Sequence, residues 1–189
     1  MRGIIKYSII LAATLGLIVA GTSSSYATDT SGSDPIFMKI SGVTGDSKTK
    51  EFPGDIELQS FQFGIQHQID PATGQSSGRT VFEPIVVTKS MDGTSPKIFT
   101  DVAGGTVIPR VDIYFAKTTP SGLLQTYAHY VLTNVIISSY SVSAGVDAPT
   151  ENLSLNFQKI QFEFSTTNPD GTLASPGVAS WDLALNTPS

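Results

Sequence analysis

Cysteine is absent from the 189-residue chain. No disulfide can therefore constrain the fold, and no thiolate is on hand for nucleophilic attack or metal ligation. Histidine is nearly absent: His67 and His129 stand far apart in the chain, too few for an imidazole-built metal centre. Charge is sparse, at 14% of residues, and acidic side chains outnumber basic ones 16 to 11. The net charge of −5 excludes the electrostatic pull that draws proteins to nucleic acid or anionic lipid. No phosphate-cradling Gly-Lys-Ser/Thr loop occurs, and no long helical period of apolar residues is present. No apolar run reaches the roughly 20 residues that a membrane-spanning helix needs.

What is present begins with an export signal. Arg2 and Lys6 make a positive start, residues 9–20 are apolar, and Ser25-Tyr26-Ala27 is a small-x-small cleavage site before Thr28. Residues 1–27 are thus expected to be a signal peptide, leaving no stable membrane insertion after cleavage and a secreted, extracellular or periplasmic product. Cleavage removes Arg2 and Lys6 but no acid, taking the net charge from −5 to −7. Residues 28–35 read as a flexible leader and 36–189 as one domain, large enough for its own core.

That domain reads as all-β with one short α-helix. Ile36, Met38 and Ile40 alternate as a half-buried strand. Further on, Ile56 and Leu58 share one face while Phe61, Phe63 and Ile65 continue on the other parity. Such a one-residue slip is the mark of a β-bulge, here near Gln59-Ser60. It recurs where Leu132 gives way to Val135, and where Leu153-Leu155-Phe157 gives way to Ile160. Three bulged strands predict a strongly curved β-barrel. Val107, Val111, Ile113 and Phe115 mark another strand, and Pro120-Ser121-Gly122 a turn. Trp181, Leu183 and Leu185 alternate as the last strand. Ile85-Val86-Val87-Thr88 is β-branched throughout, a strand with both faces covered, and Pro84 places that end on a sheet edge. Ser95 suits an N-cap, Pro96 suits N1, and Gly104-Gly105 offers a left-handed stop. Ile98, Phe99 and Val102 would share the helix face that packs over an open end of the barrel.

Chemistry is hard to find. Gly74-Gln75-Ser76-Ser77-Gly78 matches the string of a nucleophile elbow, but no apolar strand precedes it and no helix is signalled after it. His67 with Asp70 is too small a donor set for a metal shell. His129 lies between Tyr127 and Val131 on one strand face, an ordinary strand position. Asn152-Leu153-Ser154 is a glycosylation string buried in a strand pattern. The chain reads as non-enzymatic, with no cofactor and no metal. The remaining feature is the stretch 66–80, too long for a simple hairpin turn and too polar to enter a core, hence a loop.

Several blocks resemble one family. Thr88-Lys89-x-x-Asp92-x-x-Ser95-Pro96 leads into the helix, Met38-Lys39-Ile40-Ser41-Gly42 opens the fold, and Ile56-Glu57-Leu58-Gln59-Ser60-Phe61-Gln62-Phe63-Gly64 follows. Leu132 to Tyr140, Pro149 to Ile160, and Trp181-Asp182 with Asn186 complete the set. In this order they resemble the Hcp (haemolysin-coregulated protein) family, the tube subunits of type VI secretion machines, over about residues 36–186. The resemblance implies a β-barrel of two curved sheets whose copies close into a hexameric ring. The rings stack into a tube that meets sheath and spike components and carries effector proteins in its lumen. It also implies that the loop 66–80 reaches the adjacent ring, with Ile69, Asp70 and Arg79 as the contacts. Two departures stand out: the signal peptide, and Pro53 and Asp55 where many members have His and Trp. They keep open a second reading, an exported Hcp-like binding or carrier module outside any secretion machine. A hydrolase resting on Ser76 is a distant third.

Overall fold

The computed structural model describes residues 34–119 and 122–189. The expected signal peptide, nearly all of the leader, and Pro120-Ser121 of the expected turn lie outside the described residues. Ten strands and one helix follow in order: β1 (Ile36–Ile40), β2 (Ile56–Gln62), β3 (Ile65–Ile69), β4 (Ser76–Phe82), β5 (Ile85–Ser90), α1 (Ser95–Gly104), β6 (Ile108–Thr118), β7 (Leu124–Ser143), β8 (Thr150–Asn156), β9 (Lys159–Phe164) and β10 (Gly177–Asp182).

Six of the strands close on themselves in the cyclic order β6-β1-β2-β5-β8-β7, every pair antiparallel. The result is a closed barrel with additional strands. Closure removes free edges from the barrel proper. It also corrects the expectation for Pro84: β5 is flanked by both β2 and β8, and Pro84 stands just before the ladder, where it forfeits no hydrogen bond.

Strand β7 makes closure possible because it changes partner along its length. Its first part pairs with β6 on one side and, over 128–133, with β9 on the other; beyond that β8 replaces β9 from Ile136 onward. The changeover falls at Asn134, whose φ of 50° is left-handed, a region that asparagine tolerates better than most residues. Its Nδ2 donates to Gln158 Oε1 at 2.7 Å, tying it to the matching break between β8 and β9. Both breaks are the phase slips seen in the sequence at Leu132 and Phe157. The third slip is a register shift between Leu58 and Ser60. Strand β2 nevertheless ends at Gln62, and Ile65 belongs to β3, because Phe63-Gly64 turns the chain out of the barrel.

The barrel interior is mainly aliphatic, with partly buried aromatic side chains packed against it. Met38, Ile56, Ile85, Val111, Leu132 and Leu155 are buried at its centre. Helix α1 covers one end through Ile98, which is fully buried. Phe99 does not share that face: it is 59% exposed and lies edge-on to the Tyr140 ring. Gly105 stops the helix in the left-handed region at φ 61°. The N-cap is Thr94, not Ser95, and it makes no side-chain capping bond. Ser95 is already helical, and its hydroxyl accepts the Asp92 N–H instead. At the C-terminus β10 stops at Asp182, whose Oδ1 accepts the Ala184 and Leu185 amides, so the expected strand through Leu185 is cut short by a turn.

Candidate functional site

The stretch 66–80 is not a loop. Strands β3 and β4 pair as an antiparallel ribbon outside the main sheet, with Ile65 opposite Phe82, Gln66 opposite Val81 and His67 opposite Thr80. Only residues 70–75 are turn. The sequence hid this because neither strand buries a face: β3 is exposed along its whole length and β4 nearly so, so no apolar alternation marks either one. At its foot the ribbon is held by the Glu83 N–H to Gly64 carbonyl bond, at 2.9 Å, and by Gln66 Nε2 donating to Glu83 Oε1.

The three expected contact residues have different surroundings. Ile69 is 63% exposed, near the tip. Asp70 is a turn-former: its Oδ1 accepts the Ala72 N–H at 2.8 Å, and its own N–H reaches the Gln75 carbonyl. Arg79 lies further back and donates from Nη2 to the Leu183 carbonyl at 3.4 Å, linking the ribbon to the segment after β10. Ile69 and Asp70 therefore stand together at the tip, and Arg79 does not join them.

The ribbon also joins two residues that the sequence had separated. His67 Nε2 is 2.6 Å from Ser76 Oγ, and its Nδ1 is 2.9 Å from Thr80 Oγ1. A catalytic serine–histidine pair needs the second imidazole nitrogen oriented by a carboxylate. Here that nitrogen meets a hydroxyl, and Ser76 opens an exposed strand rather than a strand-to-helix turn. The contact is a polar cross-strand ladder that ties the ribbon together. Neither nitrogen of His67 goes to Asp70. Among the described residues, no cluster of three histidine, aspartate or glutamate side chains is arranged to hold a metal.

Two further charged groups escaped sequence reasoning. Beneath α1, Lys89 and Glu151 are both fully buried, with Nζ 2.7 Å from Oε2. Lys89 also reaches Asp92 Oδ1 and the Ser90 carbonyl at 2.8 Å, and Tyr140 donates its hydroxyl to Glu151 Oε1. Burial pushes the Glu151 carboxyl up, but hydrogen bonds from Lys89 and Tyr140 outweigh it and hold it below its ordinary value. Burial and the neighbouring carboxylate raise the Tyr140 phenol to about 12. The signal was the Thr-Lys-x-x-Asp-x-x-Ser-Pro block, now seen as the clamp that docks α1.

On the barrel wall, Asp112 accepts two bonds from the Arg110 guanidinium, at 2.7 and 2.8 Å, and one from His129 Nε2 at 2.8 Å. Burial raises the Asp112 carboxyl, and the His129 and Arg110 bonds more than reverse this, bringing it to about 2. His129 is thus more than an ordinary strand histidine. It stacks on the Tyr114 ring, and its Nδ1 faces Glu163 at 3.6 Å.

A family model described as "Type VI secretion system effector, Hcp" matches residues 37–164. Two curated proteins of Pseudomonas aeruginosa are similar. "Major exported protein" is 29% identical over 117 residues, covering 54% of this chain and 68% of that protein. "Protein hcp1" is 26% identical over 156 residues, covering 80% and 96%. Among solved structures, one described as a type six secretion system protein superposes with a TM-score of 0.75 at 21% identity, covering 83% of this chain and all of that one. Hcp1 from Salmonella typhimurium superposes at 0.67 with 24% identity, covering 84% of this chain and all of its own. These two likenesses concern the fold.

Proposed function

The chain belongs to the Hcp family of type VI secretion proteins, and from that premise we propose that it is a structural tube-type subunit whose copies close into a hexameric ring. The observation that carries this reading is the β3–β4 ribbon. A two-stranded ribbon with both faces in solvent is marginal by itself, and this one projects from a closed barrel with Ile65, Ile69 and Val81 all exposed. A surface built in this way is stabilised by contact with another molecule. The heterologous interface that closes a ring requires no symmetry within the subunit, and a single barrel with two unlike sides suits it. Free edges that can take part in lateral pairing lie on β10 and on the ribbon.

Rings then stack through the ribbon tip, with Ile69 and Asp70 against the adjacent ring and Arg79 bracing the ribbon to its own subunit. The subunit is delivered outside the cytoplasm, and sheath and spike components and lumenal effector proteins are the partners of the tube. The signal-like stretch 1–27 supports export and also favours the second reading, a carrier module outside any secretion machine. The stacking role of the ribbon is tested by replacing residues 70–78 with a short Gly-Ser turn and imaging the product by electron microscopy. Rings that persist but stack less are expected. Undiminished stacking would remove the ribbon from the ring-to-ring contact, and loss of the ring itself would move it to the lateral interface.

A further inference from the structure

Strand β10 is the end strand of the main sheet, so its side away from β9 is an edge. Along an antiparallel strand, successive residues point their backbone groups alternately to one side and the other. Asp182 exchanges both of its backbone bonds with Thr187, at 2.9 and 3.3 Å, and so points away from β9. By the same alternation Val178 and Ser180 direct their N–H and carbonyl groups to that edge. Such a row is a template on which another chain can add a strand.

The chain itself returns to cover it. Residues 183–186 form a turn, held by the Asp182 carboxylate at the Ala184 and Leu185 amides. Asn186 completes the turn in the left-handed region, at φ 56°. The antiparallel register that sets Asp182 against Thr187 sets Ser180 against Ser189, and the Ser180 hydroxyl donates to the Ser189 carbonyl. The outer side of the returning segment is blunted as well. Thr187 faces β10, so Pro188 faces outward, and proline has no N–H to offer a further strand. The segment thus covers an edge without presenting a donor at its own. Of the outward-pointing positions of β10, only Val178 lies beyond its reach, with its side chain 59% exposed.

We propose that residues 187–189 are an edge guard, which stops a second copy of this chain from adding a strand along the whole of β10 and leaves only the Val178 end for pairing. The proposal rests on the reading of β10 as an edge for lateral contact, and adds where along the strand that contact is made. A bare strand of small residues, Gly177-Val178-Ala179-Ser180, specifies register weakly. Confining contact to one end makes it the same from copy to copy, as a closing interface requires.

Asn186→Pro opens the guard without altering β10, because proline cannot take a φ of 56°. Light scattering coupled to gel filtration compares this variant with the parent, each as the purified full chain. Its mass is expected to rise at least about twofold over an about tenfold rise in concentration. Asn186→Gly, which suits the left-handed turn, should match the parent. Adding Val178→Pro to Asn186→Pro removes an outward N–H, and Gly177 before it accommodates the ring. The rise with concentration is then expected to stop, whereas misfolding would not be reversed by a second proline. A mass for Asn186→Pro equal to the parent's at every concentration would overturn the guard. So would a rise that persists in the presence of Val178→Pro. Whether the parent itself elutes as a ring or as a single subunit tests the ring reading, separately from the guard.

Discussion

At the scale of single residues, the ion pair under the helix has the sharpest consequences. Lys89 and Glu151 are desolvated together; without Lys89, Glu151 would be an unpaired buried charge, whereas Lys89 without Glu151 would keep Asp92. Lys89→Met is expected to lower stability in urea by about 3–5 kcal/mol, and Glu151→Leu by less, because Lys89 keeps Asp92. The double variant Lys89→Met/Glu151→Leu should cost clearly less than the sum, because neither charge is then stranded. Additive losses would mean that the pair does not interact as its 2.7 Å geometry implies. Asp112 makes a prediction in pH. Its folded value of about 2 lies below the ordinary 3.9, so its contribution is complete above about pH 4 and is lost as the pH falls toward 2. With Arg110 half exposed, that contribution is about 1–2 kcal/mol after screening. Asp112→Asn should therefore flatten the acid limb of a stability-versus-pH curve and lower the plateau near neutrality. An unchanged acid limb would refute the role given to Asp112.

At the scale of elements, α1 is too short to persist unaided, and its stability is that of its docking. Ile98→Ala, which empties the one fully buried apolar position of the helix, is expected to cost about 2–5 kcal/mol. Phe99→Ala, on the exposed face, should cost well under half as much. Comparable magnitudes would mean that the helix packs by the face read from the sequence. That reading grouped Ile98, Phe99 and Val102 because all three are apolar, and a single turn has too few positions to exclude one. The bulges were legible because a phase slip changes which residues are apolar, as at Leu58 and Phe61. The ribbon was not, because a strand exposed on both faces carries no periodicity: His67, Gln68 and Ser76 look like loop residues. Of the candidate site, Ile69 and Asp70 were legible as an aliphatic and a turn-former in a polar stretch. The carbonyl that Arg79 finds at Leu183 comes from 104 residues away and leaves no local trace. Closure of the barrel at Asn134 was hidden for the same reason, since a change of strand partner is a property of two distant segments.

At the scale of the whole molecule, the closed barrel leaves a ribbon, a sheet edge and a helix-covered end as its points of contact. The expected export route is checked by intact-mass analysis of protein recovered outside the cytoplasm, which should begin at Thr28. Retention of Met1 in cytoplasmic protein would contradict it. The central claim is assembly into a closed ring, and light scattering coupled to gel filtration measures it most directly. Residues 28–189, at concentrations on the order of tens of micromolar, are expected to elute as one species with the mass of six subunits. A single species with the mass of one subunit at that concentration would contradict the ring.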